Sequence, residues 1–145
     1  MHAGCVPGLQ ALLLRAVVVA GLVVTGYVHL GLAATYDGIG QTVTVGDLFR
    51  TQGVAAVLTG VLVALPLPWG AHLTGLVLAV LVGAASAAMT TLTTYVRVPA
   101  TGPLPELYEP VWYSEKALAA VSAGIAAVVA ATLLAAGRGR PRASR

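Results

Sequence analysis

Charged residues, cysteine and asparagine are scarce or missing in this chain, and each shortage argues against a class of protein. Only 9% of the 145 residues are charged, against about a quarter in a typical soluble domain. The single cysteine, Cys5, allows neither an internal disulfide nor a cysteine-based metal cluster. With no asparagine there is no N-glycosylation site. A soluble enzyme, a disordered protein, a coiled coil and a nucleic-acid-binding protein all fit this composition poorly.

The chain is instead rich in long apolar runs. Hydrophobic residues make up 58%, more than a small soluble domain can bury. Uncharged stretches of 21, 46 and 21 residues lie at 16–36, 51–96 and 117–137. One membrane span needs about 20 apolar residues, so the middle stretch is long enough for two, and a Pro-Leu-Pro-Trp-Gly sequence at 66–70 divides it. The sequence predicts an all-α membrane protein, a single-domain four-helix transmembrane bundle with up-down-up-down topology and helices at about 12–35, 48–67, 71–95 and 114–136.

The distribution of arginine predicts the orientation of these helices, because basic residues flank the cytoplasmic ends of membrane spans. Arg15 precedes the first helix, and all five acidic residues fall on the opposite side of the membrane. The basic residues that follow the last helix are Arg138, Arg140, Arg142 and Arg145. We therefore expect a multi-pass protein of the plasma membrane, with both termini cytoplasmic and a basic cytoplasmic tail at 137–145.

Small residues repeat every four positions in most of the predicted helices, which favours close helix packing in lipid. The longest row, in the fourth helix, comprises Ala119, Ala123, Ala127, Ala131 and Ala135. We expect this row to face the bundle and Ala126 to face lipid. At the start of the second helix, Gly46–Asp47 is predicted to be the N-cap, and Asp47 is the simplest partner for Arg50.

The polar side chains are concentrated on the predicted outer side, where they form a candidate functional cluster. Its members are His29, Tyr36, Asp37, Asp47, Arg50, Arg97, Glu106 and Glu109. Ionisable residues inside a membrane are costly and often functional, but the same residues can simply mark the membrane boundary, and the sequence leaves both interpretations open.

The sequence predicts no catalytic residue, no metal ion and no cofactor. Loosely spaced acidic residues favour a solvated loop over a divalent-cation site. His29 and His72 should be separated by roughly 20 Å along the membrane normal, so they cannot ligate one haem.

Taken together, the layout resembles a known group of membrane proteins. The features are Arg15 before the first helix, His29 near its outer end, Tyr36, an Asp-Leu-Phe sequence at 47–49, and Glu106 with Trp112 before the last helix. This pattern resembles uncharacterised small four-helix membrane proteins of actinobacteria and, more distantly, the DoxX-like group. The resemblance implies a membrane subunit associated with thiosulfate or quinone oxidoreduction, although the chain lacks cysteines on its outer face.

Three functions follow as hypotheses. The favoured one is a non-enzymatic accessory or structural subunit with an outward-facing polar cluster. The alternatives are a DoxX-like subunit of a quinone-linked redox complex and a small transporter or oligomeric channel. The expected partners are the lipid bilayer and another membrane protein or a second copy of this chain, with no nucleic acid.

Overall fold

A computed structural model describes residues 8–138, and this part of the chain is helical, with four long helices and no β-strand. The helices are α1 (Gly8–Ala33), α2 (Val45–Ala64), α3 (Trp69–Tyr95) and α4 (Ser114–Arg138), and a short 3-10 turn at Ala34–Tyr36 extends α1. All four are long and apolar enough to cross a membrane, and the predicted number of helices is confirmed. Cys5 and the last seven residues of the predicted tail, with Arg140, Arg142 and Arg145, lie outside the described residues.

The second helix begins earlier than expected, because a different residue caps it. Thr44 is the N-cap: its hydroxyl accepts a hydrogen bond from the Asp47 N–H at 3.0 Å, and the Asp47 carboxylate accepts one from the Thr44 N–H at 3.0 Å. This capping box satisfies two backbone donors at once. The predicted cap at Gly46–Asp47 is therefore wrong. Helix α2 has 20 residues, as many as the predicted helix at 48–67, but it begins and ends three residues earlier. Its length of about 30 Å matches the hydrocarbon core.

Helix α1 packs closely against both α2 and α4 at glycine positions. A methyl group added at Gly21 would lie 2.6 Å from the Ser122 carbonyl oxygen of α4. Gly26 and Gly53 face each other where α1 meets α2, and a methyl group on either would lie 3.1 Å from the other's carbonyl oxygen. Close backbone approach at small residues is the usual basis of helix association in lipid.

The buried face of α4 differs from the predicted alanine row. Ala126 is fully buried and packs against Gly21, whereas Ala131 and Ala135 are exposed. The expectation that Ala126 faces lipid is therefore wrong. A spacing of four drifts around a helix that has 3.6 residues per turn, so a long buried face needs steps of three as well as four. The alanines that are buried in α4 are Ala119, Ala123, Ala126, Ala127 and Ala130.

One end of the bundle holds the tight connection between α2 and α3, and it is filled by apolar side chains. Val18, Leu22, Val63 and Leu76 belong to the buried core. Beside them, the Arg15 guanidinium donates hydrogen bonds to the carbonyls of Val63 at 2.7 Å and Leu65 at 3.2 Å. The last carbonyls of a helix lack partners within the helix, so Arg15 satisfies the end of α2.

The opposite end, here called the loop end, holds the two longer connections at 37–44 and 96–113. In the second connection Val98 and Leu107 exchange two backbone hydrogen bonds, of 3.0 and 2.9 Å. The Glu109 N–H donates to the Thr93 carbonyl of α3 at 2.9 Å, and the Val43 N–H donates to the Pro103 carbonyl at 3.3 Å. These bonds hold the second connection across the end of the bundle and fix the position of Glu109.

Candidate functional site: a chamber at the loop end

A cavity of about 390 Å³ lies at the loop end, between all four helices and the connection at 96–113. Its volume falls in the usual range of small-molecule sites. The polar residues that line it are His29, Tyr36, Thr51, Gln52, Ser86, Thr90, Thr93, Glu106, Tyr108, Glu109, Tyr113 and Lys116. The apolar lining includes Val28, Leu32, Val45, Leu48, Phe49, Met89, Leu107 and Ala119. We call this cavity the chamber.

His29 lies in the wall of the chamber and faces the bundle. Only 7% of the residue is exposed. Its Nδ1 lies 2.8 Å from the Thr25 carbonyl oxygen of the preceding turn. Because a carbonyl can only accept, Nδ1 carries the proton of that bond, and Nε2 is the acceptor of the neutral ring. The edge of the imidazole meets Phe49, with ring centroids 5.3 Å apart and an interplanar angle of 74°.

Tyr36 of the 3-10 turn and two residues of the connection at 96–113 form a hydrogen-bonded chain across the chamber. The Tyr36 hydroxyl donates to Glu109 Oε2 at 2.9 Å, and the two hydroxyls of Tyr36 and Tyr113 lie 2.9 Å apart. Tyr36 has one proton and gives it to the carboxylate, so Tyr113 must donate to Tyr36. A tyrosine phenol is protonated at neutral pH, and burial raises the pKa of the Tyr113 phenol further.

Lys116 brings a buried positive charge close to these groups. The residue is 6% exposed. Its ammonium donates to the backbone carbonyls of Glu109 and Val111, and it lies 5.6 Å from the centre of the Trp112 ring. Buried ammonium groups need such partners because desolvating the charge is expensive. Lys116 therefore fixes the end of the connection at 96–113 on the first turn of α4.

Ser86 is the exception to this pattern of paired polar groups. The residue is 3% exposed, and its hydroxyl has no hydrogen-bond partner among the described residues. A helical serine usually bonds the carbonyl four residues earlier, here that of Val82. Gln52 of α2 donates to that carbonyl instead, at 3.3 Å. The buried hydroxyl of Ser86 is left in the chamber wall without a partner.

The predicted outer cluster divides between the chamber and its surroundings. His29, Tyr36, Glu106 and Glu109 line the chamber. The members that do not line it are Asp37, Asp47, Arg50 and Arg97. The structure thus brings four of the eight predicted residues together around one space.

The other members form ion pairs near the loop end. Arg50 binds both oxygens of Asp37, at 2.7 and 2.6 Å, and meets Asp47 at 3.3 Å. The expected partner Asp47 is therefore the weaker one, because the connection at 37–44 brings Asp37 back over α2. Hydrogen bonds from the Arg50 guanidinium lower the pKa of Asp37. Arg97 pairs with Glu106 at 3.0 Å on the rim of the chamber.

The exposed members of the lining show where the chamber opens. Thr51 on α2 and Ala85 and Met89 on α3 are exposed, as are Ile39 and Tyr108 in the two connections. The first three lie within candidate membrane spans. The lining of the chamber thus reaches the protein surface at residues of the candidate spans as well as at residues of the two connections.

Residues 8–138 contain no group of three or more histidine, cysteine, aspartate and glutamate side chains that could hold a metal ion. The acidic residues considered for a cation are used otherwise, Glu106 by Arg97 and Glu109 by Tyr36. The chamber offers hydrogen-bonding groups on an apolar surface, and this arrangement suits reversible binding of a small molecule.

Sequence reasoning missed Ser86, Gln52 and Phe49 as site residues. Ser86 lies in an alanine-rich stretch of α3, where the sequence does not distinguish it from the other small residues. A usable signal is the spacing of Ser86, Thr90 and Thr93, which places three hydroxyls on one face of α3. The comparisons with known proteins add no further assignment: no protein-family model, no curated protein and no solved structure matches the chain significantly.

Proposed function

We propose that this chain is a non-enzymatic accessory subunit located in a membrane, and that it binds a small apolar molecule in the chamber at its loop end. The observation that carries the proposal is the convergence of unsatisfied or partly satisfied polar groups on an apolar cavity of about 390 Å³. Ser86 is central, because a buried hydroxyl without a partner costs stability. A bound molecule with a polar group would form a hydrogen bond with the Ser86 hydroxyl and so remove this destabilisation.

The openings of the chamber favour a ligand that comes from the bilayer. Thr51 on α2 and Ala85 and Met89 on α3 line the chamber and are exposed, and both helices can span a membrane. Beyond the chamber, the rest of the bundle is filled by buried residues such as Leu22, Val63 and Leu76. A filled core beside a cavity at one end supports a binding protein more than a transporter or channel made by a single chain.

Native purification tests this proposal. We expect the full chain, extracted in mild detergent, to release a small apolar compound that mass spectrometry detects. The variant Ser86→Leu places a larger apolar side chain in the chamber and should release much less of it. Ala131→Leu, on the exposed face of α4, is the matched control and should retain the compound. Equal amounts from all three proteins would contradict the chamber as the binding site.

We also propose the up-down-up-down topology, with the loop end outside the cell and both termini in the cytoplasm. The support comes from charge: Arg15 lies at the tight-connection end, and the acidic residues lie in or beside the two longer connections. A reporter fused after Arg145 should be cytoplasmic, and one inserted near Gly102 should be external. The opposite result at either position would overturn this topology.

A second candidate is the quinone-linked redox subunit that the DoxX-like resemblance implies. The observation in its favour is the aromatic wall of the chamber, where the Phe49 ring lies 5.3 Å from His29 and 4.9 Å from Tyr36 between centroids. Such a wall could take a flat ring against its face or edge. A quinone absorbance band in the purified protein that disappears on chemical reduction would favour this candidate over the accessory subunit.

A further inference from the structure

Several hydrogen-bond donors of the chamber wall are used within the protein. Tyr113 donates to Tyr36, and Tyr36 donates to Glu109. The Thr93 hydroxyl donates to the Met89 carbonyl at 2.9 Å, and the Gln52 amide donates to the Val82 carbonyl at 3.3 Å. These protons are directed at protein acceptors, so a ligand in the chamber meets few of them.

The acceptors of the wall are less fully used. The Glu109 carboxylate has lone pairs beyond the one that Tyr36 engages, and a carboxylate of this kind only accepts. His29 adds Nε2 as an acceptor, because its Nδ1 proton is directed at the Thr25 carbonyl. Ser86 contributes a hydroxyl that can rotate to donate or to accept. The wall therefore leaves a carboxylate and an imidazole nitrogen available to accept a hydrogen bond from a ligand.

The charges around the chamber argue against a cationic ligand. Lys116 is itself a buried cation in the lining, and Arg97 already neutralises Glu106 at 3.0 Å. A second cation would be repelled by Lys116 and would lose its hydration on entering an apolar space. The available acceptors on Glu109 and His29 are thus suited to a neutral donor.

We propose that the chamber selects neutral apolar molecules that carry a hydroxyl group, such as alkylphenols or fatty alcohols, over ethers and ketones of the same shape. This inference rests on the proposed binding function. A ligand hydroxyl donates to Glu109 or His29 and accepts from Ser86, so both kinds of group in the wall are satisfied. An ether or ketone accepts from Ser86 but leaves the other acceptors unpaired, and sites with unpaired buried polar groups reject such analogues.

A matched pair of probes tests the selection. The purified full chain in detergent is titrated with para-hexylphenol and with its methyl ether, para-hexylanisole, and binding is followed by calorimetry. We expect the phenol to bind at least about tenfold more tightly than the ether. In Glu109→Gln the amide can donate to the ether oxygen, so the ratio should fall to about twofold or less. Glu115→Gln is the control, because Glu115 bonds Ser114 outside the chamber, and it should keep the wild-type ratio.

The outcomes separate the two proposals. A phenol preference that Glu109→Gln abolishes and Glu115→Gln preserves supports the inference. Equal binding of both probes to the wild-type protein overturns the selection for a donor and leaves the binding function standing. Failure of both probes to bind overturns the binding function itself. The primary comparison uses the wild-type chain, so it does not depend on the folding of any variant.

Discussion

Replacing Ser86 by alanine should stabilise the ligand-free protein, which is the reverse of what a buried serine in a packed helix usually does. The Ser86 hydroxyl is buried without a partner among residues 8–138. Leaving such a group unsatisfied costs about 1–3 kcal/mol. Alanine removes that cost and is also the better helix former by a few tenths of a kcal/mol, on the order of 0.5 at most. We expect Ser86→Ala to raise the free energy of unfolding by about 1 kcal/mol.

Ser122 provides a matched control on the neighbouring helix. It is also a buried helical serine, but its hydroxyl lies 3.0 Å from Thr25 Oγ1 and donates to the Ala119 carbonyl at 3.2 Å. Ser122→Ala loses these bonds, and hydrogen bonds between membrane helices are worth about 0.6 kcal/mol on average. It should therefore be destabilised.

The two alanine variants are compared by reversible unfolding in mixed micelles with increasing sodium dodecyl sulfate. The helix-propensity gain is the same in both variants and cancels in the comparison. The expected difference between their free energies of unfolding is about 1.5 kcal/mol. If Ser86→Ala were destabilised as much as Ser122→Ala, Ser86 would have a partner in the folded chain and the argument from its unpaired hydroxyl would be refuted.

Two further predictions concern packing and charge. Ala126→Leu should lower the thermal midpoint in detergent because Ala126 is fully buried against Gly21, whereas Ala131→Leu on the exposed face should be tolerated; equal midpoints would contradict the assigned face of α4. Asp37→Asn should be less stable than the wild type at neutral pH, because the hydrogen bonds from Arg50 lower the pKa of Asp37. A carboxyl group whose pKa is lower in the folded than in the unfolded state stabilises the fold at pH values above its unfolded pKa, and this stabilisation is lost as the pH falls through its folded pKa. The stability difference between wild type and Asp37→Asn should therefore disappear in acid. A stability difference that persists in acid would exclude the Asp37–Arg50 pair as its cause.

The number of helices long enough to span a membrane could be predicted from the sequence because it depends on the total hydrophobicity of long segments rather than on individual contacts. Stretches of 21 and 46 uncharged residues can be assigned to membrane helices whatever the details of packing. The same coarse signal placed His29, Tyr36, Glu106 and Glu109 at one end of the molecule, where they line one chamber.

Local spacing is incomplete or misleading where tertiary structure decides the contacts. The predicted pair of Arg50 and Asp47 is present at 3.3 Å, but the connection at 37–44 also brings both oxygens of Asp37 within 2.7 Å of Arg50. The expectation that Ala126 faces lipid extends a spacing of four through the whole of α4. Because the helix has 3.6 residues per turn, such a row turns gradually around the helix axis, and the buried face includes Ala126.

Ser86 shows a different limit of sequence reasoning. Nothing local distinguishes it from a serine bonded to its own helix. In the structure its hydroxyl has no partner among residues 8–138, and the Val82 carbonyl accepts from Gln52 of α2, 34 residues earlier in the chain. Such a relation follows only from the way that α2 and α3 are placed beside each other.

The most direct test of the chamber is chemical access to position 86 in the membrane. Cys5 is first replaced by alanine, and Ser86→Cys and Ser122→Cys are then compared in native membranes with N-ethylmaleimide, at a pH above the ordinary thiol pKa of about 8.5. The thiol at 86 should be modified, and para-hexylphenol should protect it, because the side chain lines the chamber. The thiol at 122, packed between α1 and α4, should stay unmodified. Labelling at 86 that is no faster than at 122, or that para-hexylphenol does not slow, would contradict a chamber that admits and binds small apolar molecules.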